Sequence, residues 1–116
     1  MRVLMMAALA ASFATPAFAQ DAEINYRDGA LGFDALQSAD YEKAEAQLLE
    51  ANGVSRNDPA RLINLGQVFA ATGRDEEAAI MFERALKAKR TYLVLANGEV
   101  MDSRDAARAA LAKLGE

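Results

Sequence analysis

The chain has 116 residues with 17 acidic and 13 basic side chains, a formal net charge of −4, and neither histidine nor cysteine. The acidic balance argues against partners that select basic patches, namely nucleic acid and anionic membrane surfaces. Without histidine and cysteine the chain lacks the commonest general base, the commonest metal ligands and the thiol nucleophile, so we expect no enzyme, no metal and no cofactor.

Residues 1–19 have the pattern of a secretory signal peptide. Arg2 precedes the uncharged run of residues 3–14, and Pro16 is followed by a small-x-small pattern at residues 17–19. We expect cleavage after Ala19 and export, to the periplasm or alternatively by secretion. The run is short for a membrane span of about 20 apolar residues, so we expect no membrane insertion after cleavage.

The remainder of the chain contains an internal repeat. Leu31-Gly32 recurs as Leu65-Gly66, 34 residues later. Further pairs at the same offset are Glu42 and Glu76, Ala44 and Ala78, Leu48 and Phe82, and Ala51 and Ala85. Such self-similarity is typical of stacked supersecondary units, each of which buries its apolar face against a neighbour.

The second copy carries the residues by which a family can be suggested. Leu62-x₂-Leu65-Gly66-x₂-Phe69 is followed by a turn at residues 73–77 and then by Ala78-x₃-Phe82-x₂-Ala85. In this pattern and in its period the chain resembles tetratricopeptide-repeat proteins. The resemblance implies an all-α fold, a short α-solenoid of two helical hairpins at about residues 25–58 and 59–92 within the segment 20–92.

Local signals in the second copy predict where its helices begin and end. Asp58-Pro59 places a capping carboxylate before a proline, which predicts a helix to about Thr72. Gly73 then reads as the C-terminal cap of that helix. The recurring Gly32 and Gly66, interpreted as glycines inside helices, predict close approach to a large side chain opposite.

Residues 93–116 follow the second copy. Asn97-Gly98 between apolar residues favours a β-hairpin with a type I′ turn, and the alternative is a plain loop. Asp102-Ser103 predicts the start of a last helix, which continues to about Leu114 and stops at Gly115. We expect this helix to cover the last apolar face of the solenoid.

The tetratricopeptide resemblance implies a concave groove lined by the first helices of the two copies. An apolar or helical partner segment fits this mixed apolar and amide face, and the alternative is that its apolar members are core. The expected groove residues are Tyr26, Gly29, Phe33, Leu36 and Gln37 from the first copy, and Ala60, Ile63, Asn64, Gln67 and Ala70 from the second.

Two functions follow as expectations from the resemblance. The first is a non-catalytic adaptor or scaffold of the cell envelope that binds a peptide or protein partner in the groove, which requires Phe33 and Ile63 to be exposed. The alternative is a self-associating structural protein without a separate ligand, in which the open end of the solenoid stacks on another copy.

Overall fold

A computed structural model describes residues 29–50, 53–95 and 97–116. The predicted signal peptide and Tyr26 lie outside the described residues. The described part is mostly helical with a small two-stranded antiparallel sheet, and none of its helices is long and apolar enough to cross a membrane. In chain order the elements are α1 (Phe33–Gln37), α2 (Tyr41–Glu50), α3 (Pro59–Ala71), α4 (Asp75–Lys87), β1 (Tyr92–Val94), β2 (Val100–Asp102) and α5 (Ser103–Leu114).

Two aspartates start helices by the capping mechanism that their sequence context predicts. Asp58 accepts from the backbone N–H groups two and three residues later at 2.9 and 3.2 Å, and Pro59 occupies the first turn of α3. Asp102 caps α5 in the same way at 2.7 and 3.3 Å. Both carboxylates satisfy N–H groups that have no partner within their helix, so both predicted starts are confirmed.

The end of α3 is closed by the glycine that follows it. Gly73 has φ +80°, Arg74 N–H donates to the Phe69 carbonyl at 2.7 Å, and Gly73 N–H donates to the Ala70 carbonyl at 3.3 Å. This pair of hydrogen bonds is a Schellman motif, in which a left-handed residue reverses the chain. The chain then enters α4 directly, which makes α3 and α4 a helical hairpin.

The turn between α1 and α2 repeats this geometry with a different residue. Asp40 N–H donates to the Ala35 carbonyl at 2.8 Å, and Ala39 N–H donates to the Leu36 carbonyl at 3.1 Å. Ala39 has φ +58° and lies 34 residues before Gly73. Two successive helical pairs therefore reverse through equivalent left-handed turns, although only the second has the glycine that such a turn favours.

The two repeated glycines both approach the large apolar side chain of the following helix. A Cβ at Gly66, within α3, would lie 2.3 Å from Phe82 Cε1, so only hydrogen fits there. A Cβ at Gly32 would lie 3.4 Å from the Leu48 side chain. The prediction of close packing is confirmed at Gly66, since the Phe82 ring occupies the space a side chain would need.

Gly32 differs from the prediction in its backbone. It has φ +66° and precedes α1 as its N-cap instead of lying inside a helix. A left-handed residue interrupts a right-handed helix, which is why α1 begins only at Phe33 and has five residues. The interpretation of Gly32 as a helix-interior glycine is therefore wrong.

The core is centred on α3, which packs against α2, α4 and α5. Phe82 and Leu48 are almost completely buried, as are the small Ala44 and Ala78 that lie at equivalent positions of the two copies. Small residues at these positions let the helices approach closely. The other buried apolar residues are Ala30, Leu31, Ala35, Ala60, Leu62, Ile63, Leu65, Val68, Phe69, Ala85, Ala88, Leu93, Ala106 and Ala107.

The predicted hairpin is confirmed, and its strands pair antiparallel with Leu93 opposite Met101. Leu93 is buried against the helices, whereas Tyr92 and Val100 point outward on the opposite face. Alternation of burial along β1 is what a strand with one covered face requires. The hairpin therefore lies on the helical body through one face only.

The turn of the hairpin is not the predicted type I′ turn. Leu95 N–H donates to the Glu99 carbonyl at 2.7 Å and Gly98 N–H donates to the Leu95 carbonyl at 2.8 Å. Gly98 has φ +89°, but Asn97 has no positive φ, whereas a type I′ turn needs both residues left-handed. Asn97 instead accepts from Glu99 N–H through its side chain at 2.9 Å.

The last helix closes the C-terminal end of the body. Ala106 and Ala107 of α5 are buried, and the helix packs mainly against α4. Its outward-facing, exposed residues are Asp105, Arg108, Ala109, Ala112 and Lys113. Charged residues and alanines on the outer face are what a terminal capping element of a helical stack requires.

Candidate functional site

The groove residues predicted from the first copy lie on and before the short helix α1. Phe33 and Leu36 are half-buried and Gln37 is exposed. Gly29 is half-buried in the turn before α1, where a Cβ would come within 3.0 Å of Gln47 Nε2. Phe33, Leu36 and Gln37 are therefore accessible, at least in part, to a partner.

The groove residues predicted from the second copy divide into two groups. Ile63 and Asn64 are completely buried, at 0% exposure, and Ala60 is buried as well. Gln67 and Ala70 are half-buried nearer the end of α3. The prediction that Ile63 and Asn64 are exposed on an open groove is corrected here, because these side chains belong to the interior of the chain.

Asn64 has a structural task in this interior. Its Nδ2 donates to the Leu31 carbonyl at 2.8 Å, which fixes the turn before α1 onto α3. Its Oδ1 is buried without a hydrogen-bond partner. A buried amide that holds a backbone carbonyl offsets part of its desolvation cost, so the burial of Asn64 is consistent with a role in packing.

An arginine–glutamate pair connects α2 to the turn between α3 and α4. Arg74 donates from both terminal nitrogens to the Glu45 carboxylate, and its guanidinium lies 4.6 Å from the centroid of the Phe69 ring. The hydrogen bonds from Arg74 lower the pKa of Glu45, and burial opposes them only partly. The pair therefore links the two helical hairpins through a charged contact that water still reaches.

A second set of arginines surrounds the segment between α2 and α3. Arg61 is 9% exposed, and its Nε donates to the Leu48 carbonyl at 2.9 Å. Arg61 Nη1 and Arg84 Nη2 both donate to the Arg56 carbonyl, at 3.3 and 3.2 Å, and Arg84 also donates to Asn57 Oδ1 at 3.0 Å. Burial, and then repulsion by Arg56 and Arg84, lowers the pKa of Arg61.

These arginine contacts were not anticipated from the sequence. Arg61 lies in the first turn of α3, where a basic residue is usually solvated, and nothing in its local pattern indicates burial. Its guanidinium fork instead reaches carbonyls of the α2–α3 segment, for which several donors in one plane are suited. The arrangement holds a loop in place, and in it the arginine donors are directed at the chain's own carbonyls.

The most exposed large apolar side chains of the described residues lie elsewhere. Tyr92 and Val100 are 68% and 64% exposed on the outer face of the hairpin. Leu49 of α2 and Ile80 of α4 are also exposed. Sequence reasoning missed the hairpin as a surface feature, although the alternation of Tyr92, Leu93 and Val94 predicts that one face of β1 points to solvent.

The carboxylates provide no arrangement suited to acid–base chemistry within the described ranges. Burial of Asp102 would raise its pKa, but the N–H groups of Arg104 and Asp105, together with the charge of Arg90, outweigh it and lower the pKa. A lowered carboxyl pKa favours the ionised, capping form over a proton donor near neutral pH. In the described part of the chain no three acidic side chains are grouped to hold a metal ion.

Comparison with protein-family models, with curated proteins and with solved structures finds no match.

Proposed function

We propose that this chain is a non-catalytic protein-interaction module built from two tetratricopeptide-type helical hairpins, and that it is exported to the cell envelope. The periplasm is the proposed compartment, with secretion as the alternative. Its partner is a protein or peptide, neither nucleic acid nor membrane lipid. A fold alone does not imply a function, so the proposal depends on which surfaces the hairpins leave accessible.

The observation that carries the proposal is the equivalence of the two helical hairpins. Gly32 contacts the Leu48 side chain as Gly66 contacts Phe82, and both members of each pair are 34 residues from their counterparts. The left-handed turn residues obey the same offset. Two consecutive helical pairs with equivalent packing and equivalent turns support a repeat architecture, whose usual use is to present an extended surface to a partner.

The proposed docking face consists of the accessible members of the predicted groove. On α1 these are Phe33, Leu36 and Gln37, and on α3 they are Gln67 and Ala70. An aromatic ring and an aliphatic side chain among neutral amides suit an amphipathic or extended apolar segment better than a charged one. Ile63 and Asn64 are no longer included as contact residues.

The proposal is tested by capture with matched variants. The chain, expressed from its full sequence, is immobilised and exposed to an envelope extract, and retained proteins are identified by mass spectrometry. Phe33→Ala removes an apolar side chain from the docking face, and Ile80→Ala removes one of comparable exposure class from α4 as the control. We expect a partner that is retained by the parent chain and by Ile80→Ala but lost with Phe33→Ala.

Folding of both variants is verified by circular dichroism and thermal melting before capture. Truncation of a half-buried phenylalanine costs stability, so the capture is made well below the melting temperature of the weaker variant. A partner that Phe33→Ala still retains fully would contradict the docking face. Loss of the partner with Ile80→Ala alone would move the face to α4.

A further inference from the structure

The hairpin presents one backbone edge that no neighbouring element of the described residues pairs with. Ser103 N–H donates to the Thr91 carbonyl and Leu95 N–H donates to the Glu99 carbonyl. Because hydrogen-bonded and non-hydrogen-bonded pairs alternate along an antiparallel ladder, Leu93 is the third inward-facing residue of this strand. The N–H and C=O groups of Tyr92 and Val94 therefore point away from β2, toward solvent.

This edge lacks the features that normally keep edge strands apart. From Thr91 to Gly98 the sequence has no charged residue and no proline, and Tyr92 is 68% exposed. Soluble proteins usually protect such edges with lysine, proline, a bulge or a covering element. By contrast, the residues of the β2 edge include the acidic Glu99 and Asp102. The edge of β1 is thus the one suited to adding a further strand.

We propose that the edge of β1 pairs antiparallel with the same edge of a second copy of this chain, which forms a four-stranded sheet across a two-fold axis. With Leu93 opposite the second copy's Leu93, Tyr92 lies opposite the second copy's Val94, and Val94 opposite its Tyr92. The outward-pointing groups of these residues then form two hydrogen-bonded pairs. An aromatic residue opposite a β-branched one is a favourable cross-strand pair.

Charge favours a second copy as the occupant. In this register Lys89 and Arg90, which precede β1, run alongside the second copy's hairpin turn, which carries Glu99. Arg90 already contacts Asp102 at 2.8 Å, whereas Lys89 is exposed. The two-fold axis produces the contact between Lys89 and the second copy's Glu99 twice, so the basic and acidic ends of the edge complement each other.

The proposed contact is short, because three-residue strands form few hydrogen bonds. An interface of this kind falls in the small class that gives weak, concentration-dependent association. Sedimentation velocity over a concentration series of the full chain should therefore show a monomer at low concentration and a dimer at high concentration. The outer faces of the two hairpins would then join into one exposed sheet surface.

Proline substitution separates the two edges of the hairpin. Val94→Pro removes an N–H that points outward on β1 and no hydrogen bond of the hairpin itself, and Val100→Pro does the same on β2. We expect Val94→Pro, which removes two intermolecular hydrogen bonds per dimer, to raise the dissociation constant about tenfold or more. Val100→Pro is the matched control and should leave the dissociation constant within a factor of about two.

A charge exchange tests the same register without any change in the strands. Glu99→Lys should weaken association, and the double change Lys89→Glu with Glu99→Lys should restore it, because both pairs of opposite charges are then re-formed in reverse. These exposed side chains can be changed even if a proline variant fails to fold.

A monomeric mass at every concentration would overturn the proposal and assign the edge to an extended segment of a different protein. Association that Val94→Pro leaves intact in a folded chain, or that Val100→Pro abolishes, would equally overturn it. Restoration by the double charge exchange supports it, and absence of restoration after weakening by Glu99→Lys contradicts the register.

Discussion

The turn between α1 and α2 requires a left-handed residue, and the sequence provides alanine where the second turn has glycine. Ala39 has φ +58° and Gly73 has φ +80°. A non-glycine residue in this region costs about 1–2 kcal/mol, while glycine costs about 0.5–1 kcal/mol through the larger entropy of the unfolded chain. The difference predicts that Ala39→Gly raises the free energy of unfolding by about 0.5–1 kcal/mol.

The reciprocal change at the second turn should have the opposite sign. A Cβ at Gly73 would meet no other atom within 4 Å, so Gly73→Ala introduces no steric overlap. The cost is then the same backbone term, and the free energy of unfolding should fall by about 0.5–1 kcal/mol. Equal and opposite shifts would indicate that the two turns are equivalent in energy as well as in geometry.

Urea denaturation followed by far-ultraviolet circular dichroism measures both shifts. The midpoint should move while the slope is unchanged, and the melting temperature should move by about 2–8 °C for a domain of this size. Ala109→Gly, at an exposed position inside α5, is the control and should lower the free energy of unfolding by about 1 kcal/mol. If Ala39→Gly destabilises the chain as Ala109→Gly does, the reasoning is refuted.

Three further substitutions test a helix cap, the core and an ion pair. Asp58→Ala should lower the free energy of unfolding by about 0.5–2 kcal/mol, measured by urea denaturation, because two N–H groups at the start of α3 lose their acceptor; no change would show that the cap is replaced. Gly66→Ala should cost about 1–3 kcal/mol because the new methyl overlaps the Phe82 ring, and Phe82→Leu in the same chain should recover part of that loss, whereas strict additivity would refute the overlap. The pKa of Glu45 is lowered from its ordinary value of 4.5 by hydrogen bonds from Arg74, so this contact stabilises the fold above that pH and ceases to do so as the pH falls through the lowered pKa. The difference in melting temperature between the parent chain and Glu45→Gln should therefore shrink on acidification, and a difference that is constant with pH would contradict the role of the ion pair.

Much of the second helical pair could be predicted because its signals are local. Asp58-Pro59, Gly73 and Asp102-Ser103 each determine the backbone within a few residues, through a carboxylate that accepts N–H groups or a glycine that tolerates positive φ. The hairpin was predictable for the same reason. Its turn type was not, because a glycine after asparagine serves both the type I′ turn and the longer loop that the chain adopts.

The first copy and the groove were harder to predict because their structure depends on distant contacts. Gly32 shares its sequence context with Gly66, yet it is left-handed and α1 begins after it. Likewise, Ile63 satisfies the groove pattern and the core pattern equally well, because an apolar residue at helical spacing does not reveal which neighbour covers it. The burial of Asn64 and Arg61 depends on carbonyls of the preceding copy, which no local pattern encodes.

The polar contacts of Arg61 and Asn64 have a consequence for how the two helical pairs melt. Arg61 donates to the Leu48 carbonyl and Asn64 to the Leu31 carbonyl, so each buried donor of α3 depends on an acceptor in the preceding copy. Separating the copies would leave both donors unpaired within largely apolar surroundings, which is costly. In a chain of stacked units, such strong coupling between neighbours makes a half-melted intermediate rare. The two helical pairs should accordingly unfold in a single cooperative transition.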